Sequence, residues 1–260
     1  GGNSDTVGAV TLVSGSILNG TLSGSSYALQ SGTVSATLAG DGALTKSTSG
    51  TVLLTQANTY AGGTTLGAGT IRVGNDASLG TGGLTVNGGT LSSDGATARS
   101  LANNVTMAGD LTLGSVANNG YITLSGTIDL GGTNRTFTVV ADSSLTGVIS
   151  NGAITKAGEG VLTISASNTF AGGIVLDAGV LRLATANALG SGSLIIHGGR
   201  LSSDSVTSRD VNNTVVLAGD IALGDVANNG SLNLTGTIDL GSAARTLTTD
   251  ADVTLNATPV

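Results

Sequence analysis

The sequence predicts an all-β chain wound as a parallel β-solenoid of about 20 residues per coil, and three observations carry that prediction. The first is a duplication. Ala-Gly-Asp at 108–110 recurs at 218–220, Val-Ala-Asn-Asn-Gly at 116–120 recurs at 226–230, and Gly-Thr-Ile-Asp-Leu-Gly at 126–131 recurs at 236–241, all at one constant offset of 110 and with no gap between. The second is a shorter return inside each copy. A glycine followed two places on by an aliphatic residue occurs at Gly69, Gly89, Gly109 and Gly126, at spacings of 20, 20 and 17, and the same spacings recur at Gly179, Gly199, Gly219 and Gly236. The third is period-two alternation of apolar residues in short runs closed by Gly, Asn, Asp or Ser, with no helix signal anywhere.

The elements follow in order. Residues 1–40 read as the tail of a preceding, diverged unit, 41–150 as the first repeat unit and 151–260 as the second, together one continuous β-helix. Strands are expected at Gly69–Gly74, Gly89–Leu91, Gly109–Gly114 and Gly126–Gly131, and at the equivalent places of the second copy. Stacking would bring Ile71, Leu91, Leu111 and Ile128 into one inward column, continued by Leu181, Leu201, Ile221 and Ile238. Glycine at the corners supplies positive φ or room where a Cβ does not fit. At roughly 4.8 Å per stacked strand, about 13 coils would make a rod on the order of 60 Å long. A β-sandwich is the competing architecture, with hairpins at Asn119-Gly120 and Asn229-Gly230, but the near-constant spacing of the glycine markers suits coils better.

Composition narrows the partners. With 43 glycines, one proline, no tryptophan and five aromatic residues among 260, the core must be aliphatic and thin. A net charge of −7 without a basic cluster speaks against nucleic acid and anionic lipid. No apolar stretch approaches the roughly 20 residues that span a bilayer as a helix, and the N-terminus lacks a charged region followed by an apolar one, so the chain reads as an internal fragment of something longer. The absence of cysteine fits either a biased composition or a chain that crosses an oxidising compartment unfolded.

One stretch of each copy carries a recognisable signature. Leu44-Thr45-Lys46, Gly50, the strand through Leu54, Asn58-Thr59-Tyr60-Ala61-Gly62-Gly63-Thr64-Thr65 and Ala68-Gly69-Thr70-Ile71 resemble the passenger-associated repeat of bacterial autotransporters. Ile154-Thr155-Lys156, Gly158, Gly160, Asn168-Thr169-Phe170-Ala171-Gly172-Gly173 and Ala178-Gly179-Val180-Leu181 match it at the same spacing. Thr48 stands where a glycine is usual, and Ile174-Val175 replace the usual threonines. The resemblance implies a right-handed parallel β-helix, export to the outside through a C-terminal outer-membrane β-barrel of the same polypeptide, and a role for the repeat in secretion and folding. It also favours the second explanation of the missing cysteines.

Charged residues show little sign of chemistry. Eight of the nine basic residues fall into pairs 110 apart, namely Lys46 with Lys156, Arg72 with Arg182, Arg99 with Arg209 and Arg135 with Arg245. Asp94, Asp110, Asp129 and Asp142 pair likewise with Asp204, Asp220, Asp239 and Asp252, and duplication assigns such residues to turn caps and surface ion pairs, Asp94–Arg99 and Asp204–Arg209 among them. The positions where the copies disagree are the candidates: His197 for Asn87, Arg200 for Thr90, Glu159 for Ser49 and Asp225 for Ser115. His197 and Arg200, three apart, could bind an anion or supply a base, although an exposed turn explains them more simply. One histidine and no cysteine build no ordinary zinc site, tandem calcium nonapeptides and phosphate loops are absent, and five aromatic residues offer no sugar platform.

The expectation is therefore a secreted or surface-displayed, non-enzymatic stalk with no catalytic residue, no cofactor, no metal and no small-molecule substrate. A module that binds a host receptor or associates with itself is the second reading, and a polysaccharide-acting enzyme the third.

Overall fold

The computed structural model describes residues 3–256, and none of them is helical. Cα packing divides the chain into two compact units, residues 1–128 with 140–142 and residues 129–139 with 143–260. Each unit is a β-solenoid of parallel coils, and each full coil presents three faces.

In the first unit, the first face stacks the strands Ala43–Lys46, Thr64–Leu66, Leu84–Val86 and Val105–Met107, with Leu44, Thr64, Leu84 and Val105 in register. The second face stacks Thr51–Leu54, Thr70–Val73, Thr90–Ser93 and Leu111–Leu113. The third pairs Arg99–Leu101 with Ile122–Leu124. In the second unit the first face runs through Ile154, Ile174, Leu194, Val215 and Ile238. Its second face runs through Ser143–Leu145, Val161–Ile164, Val180–Leu183, Arg200–Ser203, Ile221–Leu223 and Leu247–Thr249. Its third stacks Arg209–Val211, Leu232–Leu234 and Val253–Leu255.

Strands of three or four residues suffice because each alternates in, out, in, and the inward side chains of successive coils meet directly. Leu66, Leu84, Val86, Leu176, Leu194 and Ile196 are all at most 1% exposed. Four of the five aromatic residues, Tyr27, Tyr60, Phe137 and Phe170, lie inside the coils, which removes them as surface platforms. Tyr27 and Tyr60 pack with ring centroids 5.7 Å apart, tilted by 50°.

The inward column expected from the glycine markers needs correction. Leu91 stacks on Ile71 but opposes Leu113, not Leu111. Leu201 stacks on Leu181 and opposes Leu223, not Ile221, while Ile238 belongs to the first face, against Val215. The cause is a longer corner. Asn87, Gly88 and Gly89 link the two faces in one coil, and the next coil uses Ala108, Gly109, Asp110 and Leu111 before it reaches Thr112, the partner of Thr90. The extra residue is absorbed where the N–H groups of Ala108 and Gly109 both reach the Val86 carbonyl, at 2.7 and 2.9 Å. The spacing of 17 between Gly109 and Gly126 has the same origin, because these glycines mark different corners. Gly109 precedes a second-face strand, whereas Gly126 precedes Ile128, set beside the first face by the bond from Val105 N–H to Thr127 carbonyl at 2.7 Å.

Candidate functional site

The most heavily built sites in either unit are the polar groups of the repeated motif, buried inside the coils. Alternation carries Lys46 inward with Leu44, and its side chain is fully buried at the corner between the first and second faces. Among the described residues no carboxylate meets its ammonium. Nζ donates instead to the Thr48 carbonyl and, at 3.2 Å each, to Thr48 Oγ1 and the Ala68 carbonyl. Lys156 does the same with the carbonyls of Ala157, Gly158 and Ala178 at 3.2, 2.6 and 3.0 Å. Each lysine thereby ties one corner to the corner one coil on, satisfying carbonyls that the strands leave unpaired. Burial pulls the Lys46 ammonium below the usual lysine range. Gly69 closes the same corner: its φ is +67°, and a Cβ there would strike the carbonyls of Thr48 and Gly50.

On the third face, where residues 55–63 form no strand, a side chain replaces the ladder. Asn58 Oδ1 accepts the Leu38 N–H at 2.8 Å and Nδ2 donates to the Ser78 carbonyl at 2.7 Å, so one amide bonds to the coils on both sides. Asn168 makes the same pair of bonds, with Ile149 N–H at 2.8 Å and Ala188 carbonyl at 2.7 Å. Departures from the motif are compensated locally. Thr64 faces the apolar interior because the Tyr60 hydroxyl lies 2.6 Å from its Oγ1, which in turn donates to the Leu79 carbonyl at 3.0 Å. Phe170 and Ile174 occupy the same two places in the second copy, and both polar groups disappear together.

The candidates at positions of disagreement are dispersed by the fold. His197 turns from Arg200 to the carboxylate one coil before it, with Nδ1 2.7 Å from Asp177 Oδ1, and Asp177 itself stands where the first copy has Gly67. Arg200 reaches Asp250 Oδ2 at 2.6 Å and the Gly224 carbonyl at 2.5 Å. Asp225 holds Arg182 Nη2 at 2.8 Å. Glu159 is exposed in the turn after Lys156. These pairings join positions 20, 43 and 50 apart in sequence, one coil for the first and two for the others, and paired substitutions at that distance, Asp177 with His197 and Arg200 with Asp250, are the signal that could have found two of them. The loop ion pairs Arg99–Asp94 and Arg209–Asp204 form at 2.9 and 2.7 Å. Burial raises the Asp94 carboxyl, but the hydrogen bond and charge of Arg99 outweigh it and hold the group below the usual carboxylate range. Among the described residues no group of three or more His, Asp or Glu could hold a metal ion.

Asp225 gives a pH test. The Arg182 hydrogen bond, opposed by burial and aided by N–H groups of Ala227 and Asn228, lowers its pKa from 3.8. A depressed carboxyl contributes stability that is complete above its unfolded pKa and lost as pH falls through the folded one. Asp225→Asn should therefore lose about 0.5–1 kcal/mol at pH 7 and show a shallower decline between pH 5 and 2, measured by urea unfolding. Parallel acid limbs for the two proteins would contradict it.

Comparison with known sequences coincides with these buried groups. The passenger-associated-transport-repeat matches residues 44–73 and 154–183, the two stretches that begin just before the buried lysines and run to the second-face strands. A stretch of 88 residues, 34% of the chain, is 38% identical to the adhesin BmaC autotransporter of Brucella suis biovar 1 (strain 1330), and it spans 2% of that protein's length. No solved structure matches. Two copies of the repeat, each with its own lysine, asparagine and aromatic group in place, make this chain similar to autotransporter passenger sequence.

Proposed function

We propose that the chain is a non-enzymatic structural stalk, with no catalytic residue, whose coils template one another outside the cell and help to draw the polypeptide out through a C-terminal β-barrel of the same protein. The observation that carries this reading is the use made of the buried polar groups. Lys46, Asn58, Lys156 and Asn168 each give at least one hydrogen bond to a backbone group of another coil, so an arriving coil is bonded by the one already folded. The recurrence of the same groups at one constant offset supports 41–150 and 151–260 as the duplicated units. The test is surface display of the protein that carries this chain, with Asn58→Ala and Asn168→Ala combined. Slower appearance of an N-terminal epitope on intact cells is expected, and unchanged display kinetics would overturn the role in export.

A second reading, adhesion, is favoured by the relative's name and by one surface. Val175, Ile195 and Val216 lie in register on the outside of the first face, half-buried, where the first copy has Thr65, Thr85 and Thr106. Saturable binding of the isolated chain to cells, or its self-association, would support adhesion; a monodisperse and inert chain would leave the stalk alone.

A further inference from the structure

The two copies of the repeat differ most in chemistry on the outside of the second face, under the loop that carries Val-Ala-Asn-Asn-Gly. In the second unit the guanidinium of Arg182 is met there by a carboxylate, Asp225, and the neighbouring Arg200 is met by Asp250. In the first unit Arg72 occupies the place of Arg182, Ser115 that of Asp225, Thr90 that of Arg200 and Val140 that of Asp250. Both carboxylates are missing. The hydrogen bonds of Arg72 leave from Nη2, to the Asp94 backbone carbonyl at 2.5 Å and to Asn118 Oδ1 at 2.6 Å; Nε is buried without a partner, as is Nε of Arg182. The nearby Asp94 carboxylate is taken by Arg99.

Beside Arg72 lies an open groove of about 400 Å³. Its floor carries the stacked hydroxyls of Thr70 and Thr90, and Ser92, fully buried with no partner for Oγ, lines it as well. Ser202 in the second unit lacks a partner equally, so the buried serine belongs to the frame and the carboxylates are what distinguish the copies. The side chain at this position caps the turn in both copies. Ser115 Oγ accepts the Asn118 N–H at 3.0 Å, and Asp225 Oδ1 accepts the Ala227 N–H at 2.8 Å.

From this juxtaposition we infer that the groove beside Arg72 binds a hydroxylated carboxylate, of which a uronic acid is the simplest, with the ligand's carboxylate on Nη1 of Arg72, supplying the countercharge that Asp225 gives Arg182 in the second copy. With both Nη2 protons donated and Nε buried, the donors left to a ligand are the N–H groups of Nη1, and a guanidinium with no carboxylate partner among the described residues is a specific anchor in a chain of net charge −7. Threonine hydroxyls in register offer alternating donors and acceptors to ring hydroxyls. The volume lies within the range of small-ligand sites. No buried aromatic ring reaches this surface, so recognition rests on the carboxylate, and a neutral sugar is discriminated against.

The experiment is titration of the full chain, labelled with 15N, with sodium glucuronate, and with glucose in sodium chloride of equal ionic strength. Saturable shifts at Arg72, Ser92 and residues 114–118 are expected for glucuronate, with affinity at least ten-fold above glucose. Ser115→Asp installs the second copy's carboxylate in a turn that already accommodates it at residue 225, and should weaken glucuronate binding at least ten-fold while leaving the urea midpoint no lower than the parent's. Arg72→Lys keeps the charge, loses the fork and should bind more weakly than the parent. Equal responses to glucuronate and glucose, or undiminished binding by a folded Ser115→Asp protein, would overturn the assignment.

Discussion

Asn58→Ala is expected to lower the unfolding free energy by about 2–4 kcal/mol, because it strands two buried backbone groups at once, at roughly 1–3 kcal/mol each. The side chain is 2% exposed, and it alone joins Leu38 N–H to Ser78 carbonyl across three successive coils in a stretch without a strand ladder. Alanine would leave both groups without this bridge. Urea unfolding measures the loss, and hydrogen exchange locates it. The Leu38 amide should lose protection, while the Ile149 amide, held by Asn168, should keep it. Full protection of Leu38 in the variant would show that the amide bridge is not what holds this side of the coil.

The coil itself was legible because period-two alternation, glycine corners and a near-constant return all point to the same architecture. Which glycine marks which corner was not. Gly109 and Gly126 look alike in sequence, each two places before an aliphatic residue, yet one opens a second-face strand and the other precedes a first-face strand. Counting between unlike corners produced the spacing of 17 and a column that mixed two faces. Duplication assigned the repeated charges to structural duties such as turn caps and surface ion pairs, without saying which of them turn inward. Lys46 and Lys156 do, and the parity of Leu44-Thr45-Lys46 already held the signal, since a residue two after an inward leucine on a strand must also point inward. His197 was set beside Arg200 by sequence distance. In a solenoid the neighbour that matters is one coil away, which is where Asp177 stands.

Gly109→Val is expected to cost about 2–4 kcal/mol, from overpacking and from loss of the corner bonds, and to lower the melting temperature by roughly 5–10 °C. The reason is close approach rather than handedness. Gly109 has no positive φ, but a Cβ would run into the carbonyl, C and Cα of Asn87 in the coil beneath, all of them backbone. Backbone atoms cannot swing aside as a long side chain can, and here the corner is pinned by the two N–H groups converging on the Val86 carbonyl. Gly219 repeats the contact against His197, so the requirement survives replacement of the residue below and belongs to the corner itself. Since the first carbon makes the clash, Gly109→Ala should lose most of what Gly109→Val loses, a result that a β-propensity effect would not produce. Gly95→Ala is the control, for no atom lies within 4 Å of its Cβ position and its φ is not positive. Thermal unfolding followed by far-UV circular dichroism separates the three proteins. Melting temperatures for Gly109→Ala and Gly109→Val equal to that of Gly95→Ala would mean that the coils at this corner do not stack as closely as the bond from Gly109 to Val86 requires.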